Sequence, residues 1–309
     1  MAGFSFGQTI GAGFGIVARK PLAVLIWAVA FLVLVTLPTF AVAIQGIPEM
    51  AAGYREMARQ AAHGGAPDLG RILSIQSRIA LLQWAVWLAQ LLAYTILTGA
   101  IFRAVLEPQA SKWAYLRLSR QELWLGLTNL VCGVLAIVAV LTLSVPLQIG
   151  AAIGDFGARQ GHGPGLGATW FYYLIGLAGL GVILWALLRI CLAPPMAFHQ
   201  RRFALSEGWA LTRGHTAKMF LTALVLVLIV WLSQVAVAVL GRMLGIQGFV
   251  AHVSWGPGQQ GSPVVLQQIG PLILGFVALS AVIGMTIFVI VVAPLASIYQ
   301  QLTSKAEAA

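Results

Sequence analysis

The charged residues of this 309-residue chain are spaced so that six long stretches contain none of them, and this spacing restricts the possible folds most strongly. A helix that crosses the hydrocarbon core of a bilayer needs about 20 apolar residues. Every one of the six stretches is long enough for one such helix, so the sequence predicts an all-α integral membrane protein with six transmembrane helices. The charge-free stretches are residues 21–48, 79–102, 123–154, 160–188, 219–241 and 243–304.

Composition agrees with this interpretation. Hydrophobic residues make up 60% of the chain and charged residues 8%, and the mean hydropathy is +0.92, which is too apolar for a water-soluble globule. The longest connecting segment, residues 45–77, is too short to fold as a soluble catalytic domain with its own core. We therefore expect residues 1–309 to form a single polytopic membrane domain.

The basic residues predict the orientation in the membrane. The six predicted spans divide the 18 Lys and Arg residues between the two sides of the membrane, with twelve on one side and six on the other. An excess of Lys and Arg marks the cytoplasmic side, so both termini are expected in the cytoplasm. The predicted spans are residues 21–44, 79–104, 123–148, 168–193, 219–241 and 266–293.

An internal repeat is visible where the even-numbered spans end. Arg103–Pro108 and Arg189–Pro194 both fit the pattern R-x-x-L-x-P, and Val289–Pro294 keeps the proline but not the arginine. Proline lacks a backbone donor and clashes with the preceding turn, so we expect it to end or kink each of these helices.

A second shared feature precedes the odd-numbered spans. The segments Phe4–Lys20, Ser111–Leu123 and Phe203–Lys218 are partly amphipathic, as helices that lie in the membrane interface are. The sequence therefore predicts three repeated hairpins with cytoplasmic interfacial elbow helices. Their approximate boundaries are 1–107, 108–193 and 194–309.

The elbow sequences carry a family resemblance. The run Phe203-Ala-Leu-Ser-Glu-Gly-Trp-Ala-Leu-Thr-Arg-Gly-His215, together with Arg103–Pro108 and Tyr115-Leu-Arg-Leu118, resembles bacterial multi-pass membrane proteins grouped with the membrane domain of glycerophosphoryl diester phosphodiesterases. Some members of that group carry a separate phosphodiesterase barrel, which this chain lacks. The resemblance implies a membrane module of the bacterial cytoplasmic membrane. It does not imply a catalytic activity for this chain.

Two arginines of the repeat are candidate ligands for an anion. A guanidinium binds phosphate through a planar fork, so Arg103 and Arg189 could form a paired site for lipid phosphate. Alternatively, both side chains extend their charged heads to the cytoplasmic interface, and Glu107 pairs with Arg103 one turn away. The candidate lipid or anion ligands are Arg103, Arg189, Arg201, Arg202, Arg213 and Lys218.

Glycine recurs at every fourth position of the N-terminal segment. Such spacing forms one stripe on a helix, against which another helix of this chain or of a partner can pack closely. The residues of this glycine stripe are Gly3, Gly7, Gly11 and Gly15.

Other chemistries have no support in the sequence. The net charge of +10 arises from basic residues beside membrane segments, where topology and anionic lipids explain it, so we expect no nucleic acid partner. The five histidines and two cysteines show no metal-ligand spacing, and no acid and base pair stands out. We expect no metal, no cofactor and no enzyme activity.

Two functional hypotheses remain from the sequence. The first is a non-catalytic membrane protein that binds membrane lipids or a protein partner, including a second copy of itself. The second is a small permease that uses the repeat interface as a pathway, with helices interrupted at Pro38, Pro146 and Pro271.

Overall fold

The structure is a computed structural model that describes residues 4–42, 53, 59, 69–109, 112–117, 119–159, 166–245 and 263–307. These residues form helices joined by turns, and no strand occurs among them. The predicted all-α class is confirmed for this part of the chain.

Nine α-helices have defined bounds within the described residues, with a π-helical and a 3₁₀ segment between them, and residues 37–42 are helical as well. The π-helix Leu32–Thr36 continues α2, and the 3₁₀ turn Lys112–Tyr115 follows α3. The helices are α1 (Phe6–Arg19), α2 (Pro21–Phe31), α3 (Leu69–Leu106), α4 (Arg120–Arg159), α5 (Leu166–Ile190), α6 (Ala193–Gln200), α7 (Leu205–Leu211), α8 (Thr216–Met243) and α9 (Pro263–Glu307).

Six helical segments in the described ranges are long and apolar enough to cross a bilayer, and each overlaps one predicted span. This indicates a multi-pass membrane protein. Many of their large apolar side chains are exposed, as expected where lipid tails rather than water surround the helices. The segments are Pro21–Val42, Ala80–Leu106, Arg120–Ala152, Trp170–Gln200, Thr216–Met243 and Pro271–Ser304.

Short helical pieces occur in the three predicted elbow segments. Residues Phe6–Arg19 and Leu205–Leu211 are α-helical, whereas Lys112–Tyr115 is a single 3₁₀ turn. The interfacial location of these pieces, and the grouping into three hairpins, stay predictions.

The prolines of the repeat do not act alike. Helix α3 ends at Leu106 before Pro108, and α5 ends at Ile190 while Pro194 lies in the first turn of α6. Pro294 does not end its helix, because α9 continues to Glu307. The residues beyond Pro294 include Ile298 and Leu302, and the burial of both side chains favours a continued helix.

At two of the three other prolines where interruptions are expected, the α-helix is continuous. Helix α4 runs through Pro146 and α9 runs through Pro271. The chain remains helical at Pro38, where the π-helix Leu32–Thr36 lies immediately upstream. The wider π turn relieves the clash between a proline ring and the carbonyl of the preceding turn, so the helix continues.

The chain packs as two compact units. Unit 1 comprises Met1–Thr9, Leu118–Leu224 and Pro294–Ala309, and unit 2 comprises Ile10–Arg117 and Val225–Ala293. Their boundaries do not coincide with those of the predicted hairpins.

Unit 1 joins the two ends of the described chain. The backbone N–H of Ser5 donates to Gln301 Oε1 at 2.7 Å, and Gln301 Nε2 donates to Ser297 Oγ at 3.1 Å. A buried apolar cluster accompanies these bonds, so the N-terminal segment is held by both packing and polar contacts. The cluster consists of Phe4, Leu192, Met219, Ile298 and Leu302, with Leu188, Cys191 and Leu211 against it.

In unit 2 a close approach of two backbones brings α1 against α9. An ideal Cβ built on Gly13 would lie 2.6 Å from Ile290 Cα and 2.9 Å from its carbonyl oxygen. Only glycine permits this separation without a shift of the backbone. Gln90 Nε2 of α3 donates to Thr39 Oγ1 at 2.7 Å, and Thr39 lies in the helical residues that follow the π-helix. Amide side chains in membrane helices commonly bond to a neighbouring helix in this way.

Candidate functional site

Arg189 lies in the last turn of α5 in unit 1, and part of its side chain has no hydrogen-bond partner. The Nε and Nη1 atoms are buried and make no hydrogen bond within the described part of the protein. A buried donor without an acceptor costs about 1–3 kcal/mol, and more when it is charged. Arg189 therefore carries two buried donors for which the described residues supply no acceptor.

Two tryptophans surround this guanidinium. Its Cζ lies 5.4 Å from the centroid of the Trp185 ring and 5.8 Å from that of Trp209. The two rings meet edge to face, with centroids 5.2 Å apart and an interplanar angle of 88°. Both distances are within the range of cation–π attraction, which holds the guanidinium while its Nε and Nη1 donors make no hydrogen bond within the described residues.

Trp185 and Arg189 are four residues apart on α5, so they lie on one helical face. Trp209 comes from α7 and depends on its neighbour Gly208. A Cβ at Gly208 would lie 3.0 Å from Ala193 N and 3.1 Å from Ala193 Cα, which shows that α7 packs tightly on the start of α6. The absence of a side chain at Gly208 therefore positions Trp209 at the end of α5.

Thr212 connects the same two elements. It is fully buried, and its hydroxyl lies 3.3 Å from the carbonyl oxygen of Arg189 and 2.9 Å from that of Trp209. This residue belongs to the Leu-Thr-Arg-Gly segment of the elbow. Its contacts explain why a threonine suits this position.

An apolar groove continues from the tryptophan and arginine cluster between α5 and α8. Its volume is about 390 Å³, and it is open to the surroundings. Helix α5 contributes Gly181, Leu184, Trp185 and Leu188, which recur at the spacing of one helical face and lead to Arg189. Helix α8 contributes Thr216, Ala217 and Phe220 from its first turns.

Arg103, the counterpart of Arg189 in the repeat, lies in unit 2 in a different environment. It is 2% exposed, and its Nη1 donates to the carbonyl oxygen of Tyr115 at 2.9 Å. Its head is therefore buried against the predicted elbow segment and is not exposed at the surface of the unit. The reason is the turn at Ala114 and Tyr115, whose carbonyl oxygen faces the guanidinium.

That turn is unusual because Ala114 and Tyr115 both have positive φ angles, of 52° and 67°. Side chains of α2 and its N-cap hold it in place. Trp27 Nε1 donates to the Ala114 carbonyl at 2.7 Å, and Lys20 Nζ donates to the Tyr115 hydroxyl at 2.6 Å. We conclude that Arg103 has a structural role in stabilising this turn.

The other predicted basic ligands lie on the surface of unit 1. Arg202 Nη2 contacts Glu207 Oε2 at 2.8 Å, with side chains that are 60% and 40% exposed. Arg201 is exposed and adopts a left-handed conformation after α6, and Arg213 and Lys218 are exposed on either side of the start of α8. The fold thus places Arg213 and Lys218 in the chain segments that flank Arg189 and the groove, while Arg202 already has an acidic partner.

The glycine stripe is not used for packing where the structure describes it. A Cβ on Gly7, Gly11 or Gly15 would meet no atom within 4 Å, and Gly3 lies outside the described residues. The glycine that packs against another helix is Gly13, on a different face of α1. Contact of the stripe with a partner molecule stays a prediction.

No group of three or more His, Cys, Asp or Glu side chains that could hold a metal occurs within the described residues. The contacts described for Arg189 are the two indole rings at its guanidinium and the Thr212 hydroxyl at its carbonyl oxygen.

No protein-family model matches the sequence, and neither the curated proteins nor the solved structures compared with it gave a match. The resemblance to the membrane domain of glycerophosphoryl diester phosphodiesterases stays a prediction.

Sequence reasoning selected Arg189 but missed Trp185, Trp209 and the groove. The spacing of Trp185 and Arg189 was a readable signal, since residues four apart on a helix interact. Trp209 gave no such signal, because its position depends on how α7 packs.

Proposed function

We propose that this chain is a non-catalytic multi-pass protein of the bacterial cytoplasmic membrane, with both termini in the cytoplasm, that binds an anionic phospholipid. The observation that carries this proposal is Arg189, whose buried Nε and Nη1 lack acceptors while two indole rings fix the guanidinium. A phosphodiester at the membrane interface supplies charged acceptor oxygens for such a group.

The charge of the chain segment that contains Arg189 favours an anion over a cationic or neutral partner, and Glu122, a buried carboxylate elsewhere in unit 1, accepts a hydrogen bond from Ser119. Between Asp155 and Glu307 the sequence contains one acidic residue, Glu207, and this carboxylate contacts Arg202. Arg213 and Lys218 add two exposed positive charges in the neighbouring segments. Basic residues near a membrane surface attract anionic lipid head groups, by about 1 kcal/mol per residue.

The permease hypothesis has weaker support. It relied in part on helices interrupted at three prolines, and the α-helices continue through Pro146 and Pro271, while a π-helix precedes Pro38. A protein partner at the glycine stripe is the other outcome that the sequence leaves open.

The test measures the amount of phospholipid that co-purifies with the protein in detergent. The lipid is extracted and quantified by mass spectrometry. Hydrogen bonds to charged groups contribute about 1.5–3 kcal/mol, so Arg189→Gln is expected to lower affinity for anionic phospholipid by roughly 10- to 100-fold. Arg202→Gln is the matched control, because it removes the same charge from an exposed pair worth about 0–1 kcal/mol.

Arg189→Lys separates charge from geometry, since lysine keeps the charge without the planar fork. We expect it to retain an intermediate amount of lipid. Equal lipid content in the wild type, Arg189→Gln and Arg202→Gln, with unchanged thermal unfolding, would show that Arg189 does not bind lipid. Co-purification of a polypeptide in place of lipid would support a protein partner instead.

A further inference from the structure

We infer that the groove between α5 and α8 holds one acyl chain of the phospholipid whose phosphate binds Arg189. This inference rests on the proposed function and adds the position of the lipid tail. The site would then select an amphiphile with an apolar chain and an anionic head.

The shape of the groove fits this ligand class. Its volume of about 390 Å³ lies within the range of about 300–1,000 Å³ that is typical of small-molecule pockets. The side chains that α5 contributes are apolar apart from the indole N–H of Trp185, and those from α8 are apolar apart from Thr216. Such a lining offers packing contacts along the groove and few hydrogen bonds, as an acyl chain requires.

The position of the charge sets the direction of the ligand. On α5 the lining residues Gly181, Trp185 and Leu188 lead along one face toward Arg189 at the end of the helix. The Trp185 ring both lines the groove and lies 5.4 Å from the guanidinium, so the apolar and charged parts are contiguous. A lipid placed here has its tail against α5 and its phosphate at Arg189.

The N-terminus of α8 adds to the attraction at the same end. Thr216 and Ala217 line the groove in the first turn of a 28-residue helix, where the helix dipole is positive. Together with Arg189, this favours a negatively charged head over a zwitterionic or neutral one.

The acyl chain contributes to the affinity through packing against the groove. Lipid tails surround a membrane helix in any case, so there is no hydrophobic gain on entering the groove, and van der Waals contacts decide the preference. We therefore expect the groove to contribute less to affinity than Arg189 does.

Gly181 allows a specific test. A Cβ at this position would meet no atom within 4 Å, so a larger side chain projects into the groove without a clash at its first atom. Gly181→Leu should fill the space that the chain needs. Gly133→Leu is the matched control, because Gly133 lies in α4 of the same unit, has the same open space, and does not line the groove.

The experiment uses the full chain in nanodiscs of phosphatidylglycerol and phosphatidylcholine, released into the gas phase for native mass spectrometry. We expect Gly181→Leu to lower the retained phosphatidylglycerol several-fold, with Gly133→Leu equal to the wild type. Added inorganic phosphate or glycerol phosphate at millimolar concentration should not displace the lipid, because neither fills the groove.

The outcomes separate the two proposals. If Arg189→Gln loses the lipid while Gly181→Leu retains it as the wild type does, lipid binding stands and the groove assignment is overturned. Displacement by inorganic phosphate also overturns the groove assignment, since it shows a site for the anion alone. Full retention by both variants overturns both proposals.

Discussion

Replacing Gly13 by alanine tests whether the backbones of α1 and α9 are as close in unit 2 as the structure shows. The new Cβ would lie 2.6 Å from Ile290 Cα and 2.9 Å from its carbonyl oxygen, both backbone atoms that cannot rotate away. Overpacking of this kind costs about 1–3 kcal/mol. Alanine in place of glycine within a helix recovers about 0.5–1 kcal/mol, so the net loss is smaller.

Gly11→Ala is the matched control, because Gly11 lies on the same helix with open space around its Cβ position. This variant should gain the same 0.5–1 kcal/mol or so without the clash. The helix term cancels in the comparison, and the difference between the two variants is the overpacking cost of about 1–3 kcal/mol.

The assay is thermal unfolding in detergent at a fixed scan rate, followed by intrinsic tryptophan fluorescence. For a domain of 150–250 residues about 1 kcal/mol corresponds to 2–4 °C, so the apparent Tm of Gly13→Ala should lie at least about 2 °C below that of Gly11→Ala. Equal apparent Tm values would refute the close approach. A lower Tm for Gly11→Ala would mean that the glycine stripe makes a contact with a partner molecule.

Two further substitutions test contacts that hold the units together internally. Trp27→Phe removes the donor to the Ala114 carbonyl in unit 2 and should destabilise the protein by about 1–3 kcal/mol, whereas Trp84→Phe at an exposed position should have little effect. Similar apparent Tm values for these two variants would contradict the role of Trp27. Thr212→Val in unit 1 loses the hydroxyl contacts with Arg189 and Trp209, so we expect a loss of about 1 kcal/mol and less bound anionic lipid. Thr142→Val, which loses one local bond on an exposed surface, is its control, and lipid content equal to that of the control would argue against positioning by Thr212.

The spans could be predicted because the absence of charge over some 20 residues is a property of the sequence itself. Whether a helix ends at a given proline could not be predicted from the sequence. Helix α9 continues through Pro294, and the side chains of Ile298 and Leu302 beyond it are buried in a cluster that only the folded structure reveals. Which glycine of α1 packs within the chain could not be predicted either, for a related reason. Glycine spacing shows where another helix can approach. The glycine that α9 contacts is Gly13, because the backbone of Ile290 lies against it.

Arg103 and Arg189 show the same limit at the candidate site. Both occupy the same place in the R-x-x-L-x-P pattern, so the sequence treats them alike. Arg103 bonds to the carbonyl of Tyr115, whereas Arg189 lies among indole rings with two nitrogens unpartnered. Which arginine is available to a ligand depends on the conformation of the following segment, and no local pattern encodes that.

The most direct test of the central claim is native mass spectrometry of the wild-type protein and Arg189→Gln, both released from the same nanodiscs of mixed anionic and zwitterionic phospholipid. We expect that the wild type retains anionic phospholipid and that Arg189→Gln loses most of it. A bare wild-type protein, or equal retention of anionic lipid by both, would contradict the claim that Arg189 binds a phospholipid head group.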